Sequence, residues 1–386
     1  MTAVLARELR RIATRPKEPL LLLALPALAL LLTYAIFSAG LPRELPVAVV
    51  DQDHSRLSRQ LVRMIDATPT VRVAARPADP EEAKELVLRG AVYAWVQVPA
   101  GLERDVKRGA AEPVVAYTNA QLLVPASLVR RDLLAATSTL SAGVKLRRLR
   151  AAGETEAAAL ARVEPVRADI HPLYNPQLNY VSYIFVALFP TLLHVFVLVA
   201  AVNSVGAELR EGTAGEWLAA GRGSLARALA GKLLPSTAAF TGVAAAAMAA
   251  LFRGLGVPMR GSAALLLAGT VLFVLAYQAI GVCLVGLFPN LRFATSVAAF
   301  LASPAFAYAG VTFPTIAMPA FARVWGSLLP LTHYLRLLVE QAMKGAPPAV
   351  SAPELLALLA FPALLPPLAW RRLRRAASEP GFWGRT

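Results

Sequence analysis

The chain has 386 residues, of which 57% are hydrophobic and only 16% are charged. In soluble domains about a quarter of all residues are charged, so this composition is typical of a membrane protein. The single cysteine excludes an intrachain disulfide. The net charge is +15, but many of the basic residues flank apolar blocks, and membrane topology explains this placement better than nucleic-acid binding does.

The N-terminal segment has the pattern of an amphipathic helix. Leu5, Leu9 and Ile12 recur at helical spacing, and arginines cover the opposite face. We expect residues 1–18 to form a cytoplasmic helix that lies in the membrane interface. Residues 19–40 follow as transmembrane helix 1, because their apolar run is longer than the 7 to 15 residues usual in a cleaved signal peptide.

Residues 41–179 are polar and alternate between strand-like and helix-like segments. This alternation predicts a compact α/β domain inserted between transmembrane helices 1 and 2. The predicted strands are Pro46 to Val50, Val71 to Ala74, Ala91 to Val98 and Val114 to Tyr117. The first predicted helix begins after its cap, Ser55. The other three cover Pro80 to Arg89, Leu102 to Arg108 and Gln121 to Arg150.

The rest of the chain contains further apolar blocks of membrane-spanning length. They predict transmembrane helix 2 at 180–206, a cytoplasmic loop at 207–232 and helices 3 to 6 within 233–370, with a re-entrant outer element at 314–344. The blocks for helices 3 to 6 are Leu233 to Phe252, Ala263 to Phe288, Phe293 to Phe313 and the shorter Leu355 to Trp370.

Clustered arginines at both chain ends predict the orientation. Arg7, Arg10, Arg11 and Arg15 precede the first apolar block, and the tail 371–386 begins with Arg371 and Arg372. The positive-inside rule therefore places both termini in the cytoplasm, most simply at a bacterial inner membrane. Termini on the same side require an even number of membrane crossings, which six crossings provide. The inserted α/β domain is then extracytoplasmic.

Motifs for catalysis and metal binding are incomplete. The nearest approach to a phosphate-binding loop is Gly231 and Lys232, but Leu233 follows in place of Ser or Thr. Asp51 and Asp53 have the opening spacing of a calcium loop, which Arg56 interrupts where glycine is required. We expect no catalytic residue, no metal and no directly bound cofactor, and therefore not an enzyme.

His194 is an ionisable residue deep within an apolar block. Such residues often face a bundle interior or a transport pathway, so His194 is a candidate pathway residue. The alternative is a neutral imidazole that is hydrogen-bonded to a neighbouring helix.

The loop 207–232 and the residues just after it contain the pattern Glu-x-x-x-Gly-Thr, then Glu and a hydrophobic residue, then Gly-Lys and Pro. The positions are Glu208, Glu211, Gly212, Thr213, Glu216, Gly231, Lys232 and Pro235. This pattern resembles the cytoplasmic coupling segment of ABC type-2 transporter permeases. The resemblance implies a short amphipathic helix that docks on a separate ATPase subunit; a solvated interfacial loop is the alternative.

Three weaker stretches are similar to the branch of that family with a large domain after the first helix. They are Val49 to Asp53 with Ser55 and Ser58; the membrane-entry motif of Asn175, Pro176, Asn179 and Tyr180; and Gly310 to Pro314 with Pro319, Pro330, Leu331, Thr332 and His333. The resemblance implies a dimer of six-helix permeases, identical or paralogous, each paired with an ATP-binding cassette ATPase. For Asn175, Pro176 and Asn179, a helix cap at the membrane boundary is an equally good interpretation.

We expect an efflux permease for a hydrophobic or amphipathic small molecule, such as a drug or a lipid-like compound. Its partners are the ATPase, a second permease chain and membrane lipid, with a periplasmic adaptor as a further candidate; ATP acts only through the ATPase. A membrane-anchored sensor or assembly factor is the alternative, which the charged loop disfavours. An intramembrane enzyme lacks any constellation of acid, base or metal ligands.

Overall fold

The computed structural model describes residues 1–38, 40–163, 171–176 and 179–384. It divides into two compact units, one formed by Met1–Gly40 with Pro172–Thr386 and the other by Leu41–His171. Four short stretches of the predicted segments lie outside the described residues. They are residue 39 of predicted helix 1, residues 164–170 and 177–178 of the predicted inserted domain, and residues 385–386 of the tail.

Five helices within the described residues are long and apolar enough to cross a membrane. We call them the first span (Lys17–Phe37), the second span (Val181–Arg210), the third span (Leu225–Gly254), the fourth span (Ala263–Leu287) and the last span (Pro348–Ser378). An N-terminal helix, Thr2–Thr14, precedes the first span. The last span is longer than the predicted Leu355 to Trp370, although it contains Pro353, Pro362, Pro366 and Pro367.

The prediction of one continuous helix over 293–313 is wrong. The chain forms two shorter helices there, Leu291–Ala302 and Ala305–Tyr308, on either side of Ser303 and Pro304. Proline has no N–H for the hydrogen bond that a helix interior requires, so the helix breaks at this point. The two pieces have 12 and 4 residues, so together they rise about 24 Å at roughly 1.5 Å per residue, somewhat less than the about 30 Å of a hydrocarbon core.

The segment after the broken helix consists of short helical pieces. They are Thr315–Ala317, Ala320–Ser327, Pro330–Leu338 and the π-helical turn Val339–Lys344. Arg336 and Glu340 stand four positions apart on this segment but pair with other residues. Arg336 lies 3.5 Å from Glu354 of the last span, and Glu340 accepts a hydrogen bond from Ser351 of the same span. Each residue therefore joins this segment to the last span.

The fourth span lies at the centre of the membrane unit. Phe273 is completely buried on it, and Tyr277 is almost completely buried. A Cβ atom on Gly281 would come within 2.7 Å of Cβ of Ala201 on the second span, so these two helices touch through their backbones. Small residues at such crossings permit the close packing on which helix association in membranes depends.

The unit Leu41–His171 contains a four-stranded sheet. Its strands are β1 (Leu45–Asp51), β2 (Val71–Ala75), β3 (Ala94–Val98) and β4 (Val115–Thr118), in the spatial order β2-β1-β3-β4. β1 pairs in parallel with β2 and β3, and β4 is antiparallel to β3. The accompanying helices are Arg56–Asp66, Pro80–Leu88, Leu102–Arg108, the 29-residue Leu123–Ala151 and Glu156–Val163.

Alternate residues of β1 pack on opposite faces of the sheet. Val47 and Val49 join a core with Leu61 and Leu128, whereas Val50 packs with Trp95 on the other face. Both faces of β1 are buried because helices cover both sides of the sheet. This arrangement explains why β1 is an almost uninterrupted apolar run.

The turn after β1 is held together by two carboxylates. Asp51 accepts hydrogen bonds from the backbone N–H groups of Asp53 and His54. Asp53 accepts from the N–H groups of Gly101 and Glu103, at 2.9 and 3.1 Å. Three of the four carboxylate oxygens therefore bind backbone N–H groups and fix the ends of two neighbouring strands, and the fourth, Asp51 Oδ2, accepts from the Ser58 hydroxyl.

Candidate functional site

The segment that joins the second and third spans is a short helix between two turns. The second span ends at Arg210, and the linker helix Ala214–Ala220 follows. Gly212 has a φ of +71°, its N–H donates to Leu209 O, and the N–H of Thr213 donates to Glu208 O. These two bonds and the left-handed glycine form a Schellman motif. The expected loop 207–232 is therefore largely helical.

The linker helix is fixed by its inner face. Trp217 is completely buried, and its Nε1 donates a hydrogen bond of 3.1 Å to Ala228 O at the start of the third span. On the same helix, a Cβ atom at Gly215 would lie 3.0 Å from the ring of Trp383. Glu216 lies on the outer face; its side chain is 78% exposed, and its Oε2 is 4.0 Å from Nη2 of Arg7.

Lys232 of the third span forms the centre of a buried ion cluster. Its ammonium group lies 2.7 Å from Glu8 Oε2 and 2.7 Å from Glu208 Oε1, and its side chain is fully buried. Glu8 belongs to the N-terminal helix and Glu208 to the second span. One buried cation therefore joins three helices that are far apart in sequence.

Other polar groups satisfy the remaining oxygens of the two glutamates. Arg7 donates two hydrogen bonds to Glu208, of 2.7 and 3.0 Å, and the hydroxyl of Thr213 donates one of 2.5 Å. Ser204 donates to Glu8 Oε1 at 3.1 Å. Buried ions are tolerated only when such bonds compensate for lost hydration, which this cluster achieves.

A second ion pair lies closer to the surface. Arg15 donates hydrogen bonds of 2.7 and 2.8 Å to the two carboxylate oxygens of Glu211. The hydrogen bond from Arg15 is the main reason that the pKa of Glu211 falls from 4.5 to about 2, with Arg210 adding to the effect. The same bond raises the pKa of Arg15, so both groups are charged at neutral pH.

This pair makes stability depend on pH. Because the folded-state pKa of Glu211 is lowered, its contribution is complete above about pH 4.5 and is lost as the pH falls toward 2. The Arg15 side chain is 46% exposed, so solvent screening limits the contribution to about 1 kcal/mol at most. We expect Glu211→Gln to lower the thermal midpoint slightly at pH 6, with the difference from the parent shrinking between pH 4.5 and 2.5. A difference that grows on acidification would contradict this assignment.

The five predicted coupling residues fall into two groups. Glu208, Glu211 and Thr213 bind other parts of the chain, as described above. Gly212 and Glu216 are exposed at the surface of the turn and of the linker helix, where Glu216 makes only a 4.0 Å ion pair with Arg7. Sequence reasoning missed the N-terminal residues Arg7, Glu8 and Arg15; an isolated acid within the basic segment was the available signal for Glu8.

Both chain ends lie against this segment. The N-terminal helix packs on Gly231, where a Cβ atom would come within 2.8 Å of Val4 Cβ. At the other end of the chain, the N–H of Gly384 donates a 3.0 Å hydrogen bond to Leu209 O. We call 207–232 together with the N-terminal helix the coupling site.

The membrane-entry motif forms a hydrogen-bonded turn. Asn175 Oδ1 accepts from the N–H of Asn179 at 2.9 Å, and Asn175 Nδ2 donates to the carbonyl of Asn179 at 3.1 Å. The N–H of Tyr180 donates to Gly40 O at 2.8 Å, and Pro176 is exposed. The motif thus connects the start of the second span to the end of the first, which matches the helix-cap interpretation.

His194 is buried within the membrane unit. Its Nε2 lies 3.3 Å from Ala302 O on the broken helix, and its ring packs 4.9 Å from that of Tyr277. This geometry is that of an imidazole bonded to a neighbouring helix. A role in a transport pathway stays a prediction.

A cavity of about 360 Å³ opens between the start of the second span, the end of the broken helix and the segment 330–344. Val186, Leu335 and Met343 contribute apolar surface, and Tyr183 and Arg336 contribute polar groups. The lining is therefore amphipathic, and the volume falls within the range of small-molecule sites.

Large apolar side chains remain exposed on the outer helices. Leu31 and Ile36 on the first span are 63% and 72% exposed, and Leu368 on the last span is 70% exposed. Such surfaces on long apolar helices are compatible with lipid and not with water, so the chain is a multi-pass membrane protein.

The sequence model described as ABC-2 family transporter protein matches residues 19–371. This chain belongs to that family. It is a permease component of an ABC transporter, and the family in general works with a partner ATPase subunit. No curated protein matches the sequence.

Proposed function

We propose that this chain is the permease subunit of an exporter for a hydrophobic or amphipathic small molecule. The substrate leaves the cytoplasm or the inner leaflet of a bacterial inner membrane, and ATP hydrolysis on a separate subunit drives the transport. The functional unit contains two permease chains, identical or paralogous, and two ATPase subunits. The chain itself carries no catalytic residue and binds no cofactor directly.

The geometry of the linker helix is the main support for this proposal. Its outer face, with Glu216, is exposed, whereas its inner face is fixed through Trp217 to the third span. Lys232 and Glu208 further connect the third span to the second and to the N-terminal helix. A displacement of the linker helix would therefore move the second and third spans together, as coupling of ATP hydrolysis to transport requires.

The contacts of the chain ends support the proposed topology. Both ends lie against the coupling site, so both are on the side of the membrane where the ATPase binds. The arginines at these ends support a cytoplasmic location for that side, since the positive-inside rule associates such clusters with the cytoplasm. Ends on one side require an even number of crossings, which favours counting the broken helix as a sixth crossing. The unit Leu41–His171 is then extracytoplasmic.

Co-purification tests the proposal. We expect the tagged chain, extracted from its native membrane in a non-ionic detergent, to retain a polypeptide that contains a phosphate-binding loop. Glu216→Arg should reduce the amount retained about tenfold or more, the equivalent of about 1.4 kcal/mol of binding free energy. Glu85→Arg is a matched control, because Glu85 is 61% exposed on a helix of the other unit. The proposal fails if no ATPase is retained by the parent chain.

A further inference from the structure

The unit Leu41–His171 contains an open cavity of about 710 Å³. It lies between the helices Arg56–Asp66 and Leu102–Arg108, the loop that follows them, and the second half of the long helix Leu123–Ala151. Cavities of this size hold drug-sized molecules in other proteins. Neither the family assignment nor the coupling site accounts for it.

The floor of the cavity is apolar. Leu61, Leu102 and Leu140 line it, with exposures of 1%, 4% and 9%, and all three belong to the core on that face of the sheet. The cavity is thus an opening into the hydrophobic core of the unit. Above these leucines, the half-buried Leu57 and Val106 leave apolar surface open, and covering it is favourable by roughly 25 cal/mol per Å² removed from water.

The rim of the cavity is mainly basic. Lys145 and Arg148 lie on consecutive turns of the long helix, and Glu112 is the acid at the mouth. The guanidinium of Arg148 packs over Gly109, where a Cβ atom would come within 2.9 Å of Nη2. Within the described part of the chain, Arg148 forms no ion pair, whereas Lys145 donates to Val163 O at 3.3 Å. Arg148 is therefore available to a ligand.

We propose that this cavity binds an amphiphile of drug size, with its apolar body on the leucine floor and an anionic head at Arg148. A guanidinium binds a carboxylate or phosphate group through two parallel hydrogen bonds, which fixes the position of the head. If the proposed function holds, the site lies on the outer side of the membrane and receives exported substrate. Binding itself needs neither ATP nor the ATPase, so the two proposals can fail separately.

Photolabelling of the purified full-length chain tests this site. The probe is a dodecyl chain with a diazirine near its end and a carboxylate head; matched probes carry a trimethylammonium or a hydroxyl head. We expect the carboxylate probe to label peptides from 102–114 and 137–152 at least about tenfold more than the trimethylammonium probe. A photoreactive phospholipid in the surrounding nanodisc distinguishes a free amphiphile from membrane lipid and should label these peptides weakly.

Two variants and one control separate this site from general adsorption. Ser141→Trp fills the cavity from its exposed mouth, so the core need not be repacked, and it should remove the labelling. Arg148→Glu should reverse the preference between the charged probes. Arg147→Glu makes the same change of charge at an exposed position outside the cavity lining, and it should leave the labelling unchanged. Labelling that survives Ser141→Trp, that is equal for both charged probes, or that is equally strong from the phospholipid would overturn the proposal.

Discussion

Lys232→Met should lower the free energy of unfolding of the membrane unit by about 3 to 5 kcal/mol, the usual cost of removing one partner from a buried ion pair. The ammonium group lies 2.7 Å from a carboxylate oxygen of both Glu8 and Glu208. Without it, Glu8 stays buried and keeps only the Ser204 hydroxyl at Oε1 and the more distant Arg11, whose Nη1 lies 3.9 Å from Oε2. Thermal unfolding in a non-ionic detergent measures the loss.

A double variant separates the charge from the shape of the side chain. Glu8→Gln combined with Lys232→Met removes the carboxylate that has lost its 2.7 Å partner, while Glu208 keeps its two bonds from Arg7. We expect this double variant to recover much of the lost stability. Lys84→Met is the matched control, because Lys84 is 61% exposed and should change stability by less than about 0.5 kcal/mol. Equal stability of Lys232→Met and the parent would show that the cluster is not a structural element.

Gly212→Pro should abolish coupling while the spans remain folded. Proline is restricted to a φ near −65°, whereas Gly212 has a φ of +71° and donates its N–H to Leu209 O. The turn must rearrange and move the linker helix from its position. We expect substrate-stimulated ATPase activity of the reconstituted complex to fall about tenfold or more, to the level without substrate.

Gly212→Ala provides a graded comparison. No atom lies within 4 Å of the Cβ that alanine would add, so its penalty is only the left-handed backbone, roughly 1 to 2 kcal/mol. Its activity should lie between those of the parent and of Gly212→Pro. Glu211→Arg is less informative, because it also breaks the pair with Arg15. Full activity of Gly212→Pro would exclude the turn from coupling.

The apolar blocks were sufficient to locate the five long helices, because the length of a membrane helix is set by the thickness of the bilayer. Prolines were harder to interpret. Pro304 breaks its helix, whereas Pro362 and Pro366 lie within one that continues. Local sequence does not distinguish the two cases, since packing decides whether the freed backbone groups find other partners.

The coupling site was only partly predictable. The motif with Glu208, Gly212 and Glu216 marked the segment, but Glu8 and Lys232 are 224 positions apart, and periodicity carries no information about such contacts. The N-terminal helix illustrates this limit. Its apolar positions suggested a helix, yet Glu8 lies on the buried face and Leu9 is 51% exposed.

Site-specific cross-linking tests most directly whether the ATPase acts through the linker helix. The only native cysteine, Cys283, is buried, so Glu216→Cys introduces one reactive thiol at an exposed position. We predict that a short thiol-reactive photo-crosslinker at residue 216 joins the chain to the ATPase subunit in native membranes, and that the same reagent at Glu85→Cys does not. Cross-linking of the ATPase from residue 85, with none from residue 216, would contradict this account.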